Sequence, residues 1–206
     1  MRVMAARPKP GPVLRSTDGS VTPLHVGAWR AEADEVERSL IDELPAPLLD
    51  VGCGPGRIVA AAAAQGRPAL GIDTAPSARD ETVRRGAAVL TRSVFDPLPG
   101  EGRWRSVVLL DGNIGIGGSP NALLARVREL LHRCGVVLVE VAPPGAGSVA
   151  ATVRVERHAR AGVQHGPWFP WARVDADDIE ATLARAGFES ITLCRGGRWF
   201  ARGELS

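Results

Sequence analysis

Leu48-Leu49-Asp50-Val51-Gly52-Cys53-Gly54-Pro55-Gly56-Arg57 is an apolar run that breaks into three alternating glycines, after which Ile58-Val59-Ala60-Ala61-Ala62-Ala63-Ala64 resumes with helical character. A strand, a glycine turn and a helix N-terminus in that order bring bare backbone N–H groups and a positive helix end close to a ligand. The stretch predicts a buried strand that opens into a binding loop.

The flanking sequence repeats the alternation. Upstream, Val36, Leu40, Ile41 and Leu44 fall at helical spacing within 31–44, a helix that ends before Pro45. The first core strand is placed at 47–51, and the next helix runs from Arg57 to about Gln65, ended by Gly66. Residues 68–73 read as a short buried strand, 76–85 as a polar helix ended by Gly86, and 87–92 as a weaker strand. Val107-Val108-Leu109-Leu110, within 104–111, has the continuous apolar character of a strand covered on both faces. A helix over 120–133 and a fifth strand over 135–141 follow. Strands alternating with helices imply an α/β fold, a Rossmann-like doubly wound and mostly parallel sheet.

The pattern changes after Pro143-Pro144-Gly145. Val149, Val153, Val155 and Val163 alternate with polar residues, suggesting a strand or hairpin, and Gly166-Pro167-Trp168-Phe169-Pro170-Trp171 follows. Residues 175–186 return as a helix, and 189–195 with 198–203 form a terminal antiparallel hairpin turning at Gly196-Gly197. Residues 1–22, rich in Pro, Gly and Arg without periodicity, predict a flexible N-terminal arm. The remaining 23–206 is expected to be a single domain, with 143–173 as an insertion.

At 206 residues the chain suffices for one sheet with helices on both faces, and a second large domain is excluded. Its 25 basic and 23 acidic residues leave a formal net charge of +2, so no strong field draws nucleic acid or an anionic membrane. Lys9 is the single lysine; the arginine, alanine and glycine bias looks like GC-rich coding and points to a bacterial source. Cys53, Cys134 and Cys194 show no metal-ligand spacing, which argues against zinc and against a disulfide framework. The Pro/Gly-rich start lacks the apolar core of a signal peptide, and no run approaches membrane-spanning length, so the expected location is the cytoplasm.

Asp50 followed by Gly52, Gly54 and Gly56 resembles the first motif of the class I S-adenosylmethionine-dependent methyltransferases, an acidic residue leading into Gly-x-Gly-x-Gly. A nicotinamide or flavin dinucleotide site needs Gly-x-Gly-x-x-Gly, and Arg57 stands where its last glycine would be. A glycine turn with no ligand is the plain alternative. The resemblance extends over about residues 24–205, and Asp111-Gly112-Asn113-Ile114-Gly115-Ile116-Gly117-Gly118 and Trp168-Phe169-Pro170-Trp171 are similar to a subgroup of small bacterial members whose acceptors are mostly unassigned. It implies a seven-stranded sheet in which the last, antiparallel strand inserts between the fifth and sixth. It also implies S-adenosyl-L-methionine as cofactor, S-adenosyl-L-homocysteine as product, and a small-molecule methyl acceptor.

On that resemblance the cofactor-binding candidates are Asp50, Gly52, Cys53, Gly54, Gly56, Asp73, Ser93, Val94, Asp111, Gly112 and Asn113. Asp73 ends the second core strand, where a carboxylate can accept both ribose hydroxyls. Ser93 and Val94 stand where the family often has an acid and a backbone N–H for adenine; Ser93 departs from the acid, and Asp96 or backbone alone can serve instead. The four glycines of 112–118 permit close backbone approach beside Asn113, which can both donate and accept.

In-line methyl transfer mainly needs alignment, which can supply roughly 7 to 11 kcal/mol of barrier reduction, so a general base is optional. For a hydroxyl or protonated amine a histidine would help, and His25, His158 and His165 are the catalytic candidates. His165 adjoins Trp168 and Trp171 in the expected substrate lid, His25 precedes the helix expected to cover the same mouth, near Trp29, and His132 sits beside Arg133 at a helix end. The aromatic cluster can equally be a satellite core. The sequence reading prefers an oxygen acceptor over nitrogen, because Asn113 lacks the two following prolines of amide and exocyclic-amine methylators. A cofactor-binding regulatory subunit without transferase activity is the alternative of a different class. Oligomeric state is not legible.

Overall fold

The computed structural model describes residues 11–159 and 162–205. Within the segment expected to be a flexible arm, residues 11–22 are ordered: β1 (Val13–Ser16) and β2 (Val21–Pro23) form an antiparallel hairpin. The earlier part of the arm, 1–10, lies outside the described residues. A short helix α1 (Val26–Arg30) follows, and α2 (Glu35–Glu43) begins later than the sequence pattern suggests. Asp34 sets that start: its side chain accepts from Glu37 N while the Glu37 side chain accepts from Asp34 N, a reciprocal box that satisfies two free amides.

The core elements are β3 (Leu48–Val51), α3 (Arg57–Ala64), β4 (Ala69–Asp73), α4 (Pro76–Arg84), β5 (Val89–Thr91), β6 (Trp104–Leu109), α5 (Pro120–Leu130) and β7 (Leu131–Val141). The sequence pattern carries α5 through to Arg133, but the helix stops at Leu130 because Leu131 already pairs with Trp104 on β6. The next pairing is Ser106 with Val136, so residues 132–135 bulge between the two registers.

The insertion adds β8 (Val149–Ala159), β9 (Gly162–His165) and β10 (Phe169–Arg173), and the chain closes with α6 (Ile179–Arg185), β11 (Phe188–Arg195) and β12 (Arg198–Leu205). The core sheet runs β11-β12-β7-β6-β3-β4-β5. Neighbours from β7 through β5 are parallel, while β12 is antiparallel to both β7 and β11, so the last strand does insert between the fifth and sixth core strands.

Side chains alternate across this sheet, which is why its strands read as unbroken apolar runs. Leu49, Val107, Leu109, Val137 and Val139 pack under α5 and α6 through Leu123, Leu124, Val127, Ile179 and Leu183. Leu48, Val108, Leu110, Val136 and Leu138 pack under α2 and α3 through Leu40, Ile41, Ile58 and Ala62. By the same alternation Asp50 lies on the α2/α3 side with Leu48.

The other strands form a second sheet, β10-β8-β1-β2, with β9 also on β8. The insertion is thus one half of a sheet completed by the N-terminal hairpin, with Leu14 opposite Val155. Glu156 is the buried hub. It accepts from Arg15 Nε at 2.8 Å and Arg154 Nη2 at 2.8 Å, and its carboxylate lies 3.1 Å from His165 Nδ1, so one side chain joins β1, β8 and β9. The Arg15 hydrogen bond, reinforced by Arg154, holds the Glu156 carboxyl down at about 2.

Candidate active site

At the carboxyl edge of the core sheet lies a cavity of about 540 Å³, within the usual size of small-molecule sites. The glycine loop forms one wall. Gly52 N and Cys53 N both donate to Ile72 O, at 2.8 and 3.0 Å, tying the loop to the end of β4. Gly54 N donates to Asp73 Oδ2 at 2.9 Å, and Ala75 N donates to Asp73 Oδ1 at 2.8 Å. Asp73 therefore anchors the loop and still has lone pairs on both oxygens for hydroxyl donors.

The glycines of the loop differ in purpose. Gly54 has φ +51°, and a Cβ there would meet no atom within 4 Å, so its missing side chain is part of the cavity. Gly56 has φ +80°, and a Cβ would come within 2.4 Å of Thr82 Cγ2. The Thr82 hydroxyl lies 3.0 Å from Gly54 O and 2.9 Å from Ala78 O, and its one hydrogen is shared between them, so α4 clamps the loop from below. Burial pushes the Cys53 thiol up, well out of the range in which a thiolate forms, and Cys53 acts here as packing.

Asn113 does not face the cavity with both its donor and acceptor free, as its sequence position suggests. Its Nδ2 donates to Val51 O at 2.9 Å and Gly52 O at 3.0 Å, clasping the glycine loop to the end of β6. The glycines that follow serve a neighbouring strand as much as any ligand. A Cβ on Gly115 would fall 2.0 Å from Ala172 O, and one on Gly118 2.7 Å from Pro170 Cβ. These two glycines let β10 lie against the loop, where Ile116 bridges Trp171.

Of the cofactor-binding candidates, Gly52, Cys53, Gly54, Asp73, Ser93, Val94, Asp111 and Asn113 line the cavity. Gly56, Gly112 and Asp50 do not, and Asp50 is 2% exposed with Oδ2 unpartnered. Burial pushes the Asp50 carboxyl up to about 7, against the attraction of Arg57 and with the help of Asp111, Asp73 and Glu37. A carboxyl whose folded value is raised favours folding while protonated and loses that advantage as pH climbs from its ordinary value toward 7. Asp50→Asn is therefore expected to gain stability relative to the parent between pH 5 and pH 8. Urea unfolding at both values checks this, and a parallel pH response of the two proteins would show that Asp50 is ionised throughout.

None of the three histidine candidates lines the cavity. His25 is exposed ahead of α1, His158 is exposed on β8, and His165 faces Glu156 in the second sheet. On β8 the stretch 149–153 pairs with β10, with Trp171 opposite Ala151, whereas His165 lies opposite Glu156 and His158 opposite Val163, so His158 and His165 stand farther along the sheet and fall away from the mouth. Trp168 departs as well: it stands 44% exposed under the Arg154 guanidinium, 4.7 Å from the ring centroid. Trp29, Phe169, Pro170 and Trp171 do line the cavity, with Phe169 and Trp171 edge to face at 6.1 Å. Trp171→Leu is accordingly expected to impair use of an acceptor by about tenfold or more, through lost alignment and water exclusion, with Trp168→Leu near the parent value. Steady-state kinetics of both variants decides it, and equal losses would show that the two rings act only in packing.

The sequence reading missed one buried ion-pair system. Arg57, 6% exposed, donates from Nη2 to Glu37 Oε1 at 2.6 Å and from Nη1 to Asp111 Oδ2 at 2.8 Å. Arg198 pairs with Glu37, Asp34 and Glu140, and Glu140 accepts from Asp111 N at 2.8 Å. Asp111 has φ +55°, the left-handed backbone otherwise held by glycines among the described residues, and the clamp from Arg57 and Glu140 holds it there. The available signal was a charged residue opening an otherwise apolar and alanine helix.

A glycine loop tethered to an acid at the end of the second core strand, on a seven-stranded sheet of this order, defines the class I methyltransferase architecture. A family model described as a methyltransferase domain matches residues 28–193, and the chain belongs to that family. No curated protein sequence matches it. Among solved structures, it resembles an S-adenosylmethionine-dependent methyltransferase from Bacteroides fragilis in complex with S-adenosyl-L-homocysteine, at TM-score 0.75 and 18% identity over 97% of this chain and 90% of that one. The sugar N-methyltransferase KedS8 from a Streptoalloteichus species follows at TM-score 0.59 and 24% identity, over 85% and 87%. A Burkholderia thailandensis 1,6-didemethyltoxoflavin-N1-methyltransferase superposes at TM-score 0.60 and 20% identity, over 88% and 83%. At these identities the likeness is one of fold.

Proposed function

We propose that this chain is an S-adenosyl-L-methionine-dependent methyltransferase acting on an oxygen or nitrogen of a small organic molecule. The observation that carries it is a single cavity bounded on one side by the Asp73-tethered glycine loop and on the other by Trp29, Phe169 and Trp171. The cavity fits the cofactor: open space at Gly54 admits a ligand to bare backbone, Asp73 has acceptor capacity left for the ribose, and Ser93 and Val94 stand at the same edge for the base. When bound, the cofactor supplies an electrophilic methyl group on a sulfonium sulfur. The chain's own part is to orient the acceptor and exclude water, with the insertion 143–173 serving as the acceptor wall through β10.

Binding of S-adenosyl-L-homocysteine without added metal, measured by calorimetry, tests the cofactor assignment, and mass spectrometry for a one-methyl gain on candidate acceptors tests the reaction. Binding of NADH with none of S-adenosyl-L-homocysteine overturns the reading. The second reading, a cofactor-binding partner subunit without turnover, rests on the cavity's having no histidine among its lining residues. Tight S-adenosyl-L-homocysteine binding with no acceptor methylated would favour it. No helix among the described residues is long and apolar enough to cross a membrane, and a cytoplasmic site of action is part of the proposal.

A further inference from the structure

We infer that the acceptor half of this cavity recognises an organic ammonium group, with Asp111 as the anion that meets it and an aromatic surround of Trp29, Phe95, Phe169 and Trp171; this rests on the methyltransferase reading above. The first ground is chemical. Among the described residues, the cavity lining contains no histidine and no lysine, and the chain has no tyrosine. The one thiol of the lining, Cys53, is pushed up by burial, away from the thiolate form. Both an alcohol and an ammonium must give up a proton to attack, but the ammonium is by far the stronger acid: its small neutral fraction near pH 7, formed by proton loss to water, carries a free lone pair without a side-chain base, and the proton has already left to solvent when the methyl group arrives. The lining thus suits nitrogen and reverses the preference for oxygen drawn from the sequence.

The second ground is the placement of charge. The carboxylates lining the cavity are Asp73 and Asp111. Asp73 is held at the β4 end by Gly54 N and Ala75 N, on the side assigned to the ribose. Asp111, a cofactor-binding candidate in the sequence, is assigned here to the acceptor side: it stands at the end of β6, partly exposed, and Arg57 donates to both its oxygens, at 2.8 and 3.1 Å, while also holding buried Glu37. That sharing leaves the Asp111 carboxylate only partly neutralised, with lone pairs free for an N–H donor. The lining guanidinium of Arg92 donates instead to Pro97 O at 2.6 Å. That bond is to a neutral carbonyl and leaves Arg92 its charge, but Arg92 follows β5, three strands along the sheet from the β6 end where Asp111 stands, so an anionic acceptor at Asp111 would meet that carboxylate beside an Arg57 already shared with Glu37.

The third ground is the surround. Four aromatic side chains arrive from three elements: Trp29 from α1, Phe95 from the loop after β5, and Phe169 and Trp171 from β10. Phe95 is 45% exposed yet lines the cavity, and Gly117 makes room for it, since a Cβ there would lie 2.9 Å from its ring. Aromatic faces around a carboxylate attract a cation through the ring quadrupole while covering its apolar stem.

The test uses the whole chain saturated with S-adenosyl-L-homocysteine and three matched probes: 2-phenylethylamine, 2-phenylethanol and 3-phenylpropionate. Calorimetry is expected to give the ammonium probe about tenfold tighter binding than the alcohol, with the carboxylate weakest. Asp111→Asn should bring the ammonium and alcohol probes to within about twofold, and Trp171→Leu should weaken both aryl probes while keeping their order. Equal or tighter binding of the alcohol or carboxylate probe by the parent protein overturns the inference, as does no binding of the ammonium probe at millimolar concentration. The parent comparison decides the matter even if Asp111→Asn does not fold. Failure of S-adenosyl-L-homocysteine itself to bind is a different result, and it removes the methyltransferase reading instead.

Discussion

Arg57→Leu is expected to lower the unfolding free energy by about 3 kcal/mol, because it strands Glu37, 3% exposed, with one of its two guanidinium partners gone. The same change frees Asp111 from the clamp that offsets its left-handed backbone. The effect has a pH signature. Burial pushes the Glu37 carboxyl up, but the Arg57 hydrogen bonds and charge, with Asp34 N and Arg198, outweigh it and leave the group below its ordinary value. A depressed carboxyl contributes stability above its ordinary range and loses it as pH falls below that range. The deficit of Arg57→Leu should therefore be full at pH 7 and shrink toward pH 3. Arg195→Leu is the control: its partner Glu43 is 45% exposed and the pair is worth less than about 1 kcal/mol. Urea unfolding of the three proteins would show equal losses if the buried position of Arg57 carried no weight.

Asp73→Ala is expected to weaken S-adenosyl-L-homocysteine binding by roughly 10- to 100-fold, in line with about 1.5 to 3 kcal/mol for hydrogen bonds to a charged group. Two losses combine. Under the proposed function the ribose hydroxyls lose their acceptor, and Gly54 N and Ala75 N lose the carboxylate that fixes the loop in front of the cavity. Asp73→Asn, which keeps one acceptor oxygen, should recover part of the affinity. Calorimetry on both variants checks the order, and parent-like binding by Asp73→Ala would remove the ribose role.

The core sheet was legible because its strands announce themselves twice, by apolar runs such as Val107 to Leu110 and by glycine or proline breaks between them. The place of Asp73 at the end of the second core strand and the glycine turn between β3 and α3 are legible for a related reason: a tight strand-to-helix turn needs residue types that little else demands at that spacing. The N-terminal hairpin was not. Its strands are four and three residues long, its partner β8 lies far along the chain, and Arg15 meets Glu156 across 141 positions, so no local pattern reports the pairing. Arg57 escaped for the opposite reason. It was read only as the residue that breaks a dinucleotide pattern, whereas its meaning lies in Glu37 and Asp111, brought to it by α2 and β6. The histidines are not legible as cavity residues or otherwise, because the sequence does not say that β8 meets β10 through 149–153 and β9 through 156–159, which leaves His158 and His165 at the end away from Trp171.

The pairing of β1 with β8 also orders events in time. Closing so long a loop has an entropic cost that grows with its length, and β1 has only four residues with which to offset it unless the ends are already close. The core sheet, whose parallel strands are joined by short helical crossovers, is the element that brings those ends together. The N-terminal hairpin, and with it the completed second sheet, is then expected to form after the core sheet. Pulsed hydrogen exchange during refolding is expected to protect the amides of β3 and β6 before those of β8 and β10, and simultaneous protection would show that both sheets form as one cooperative unit.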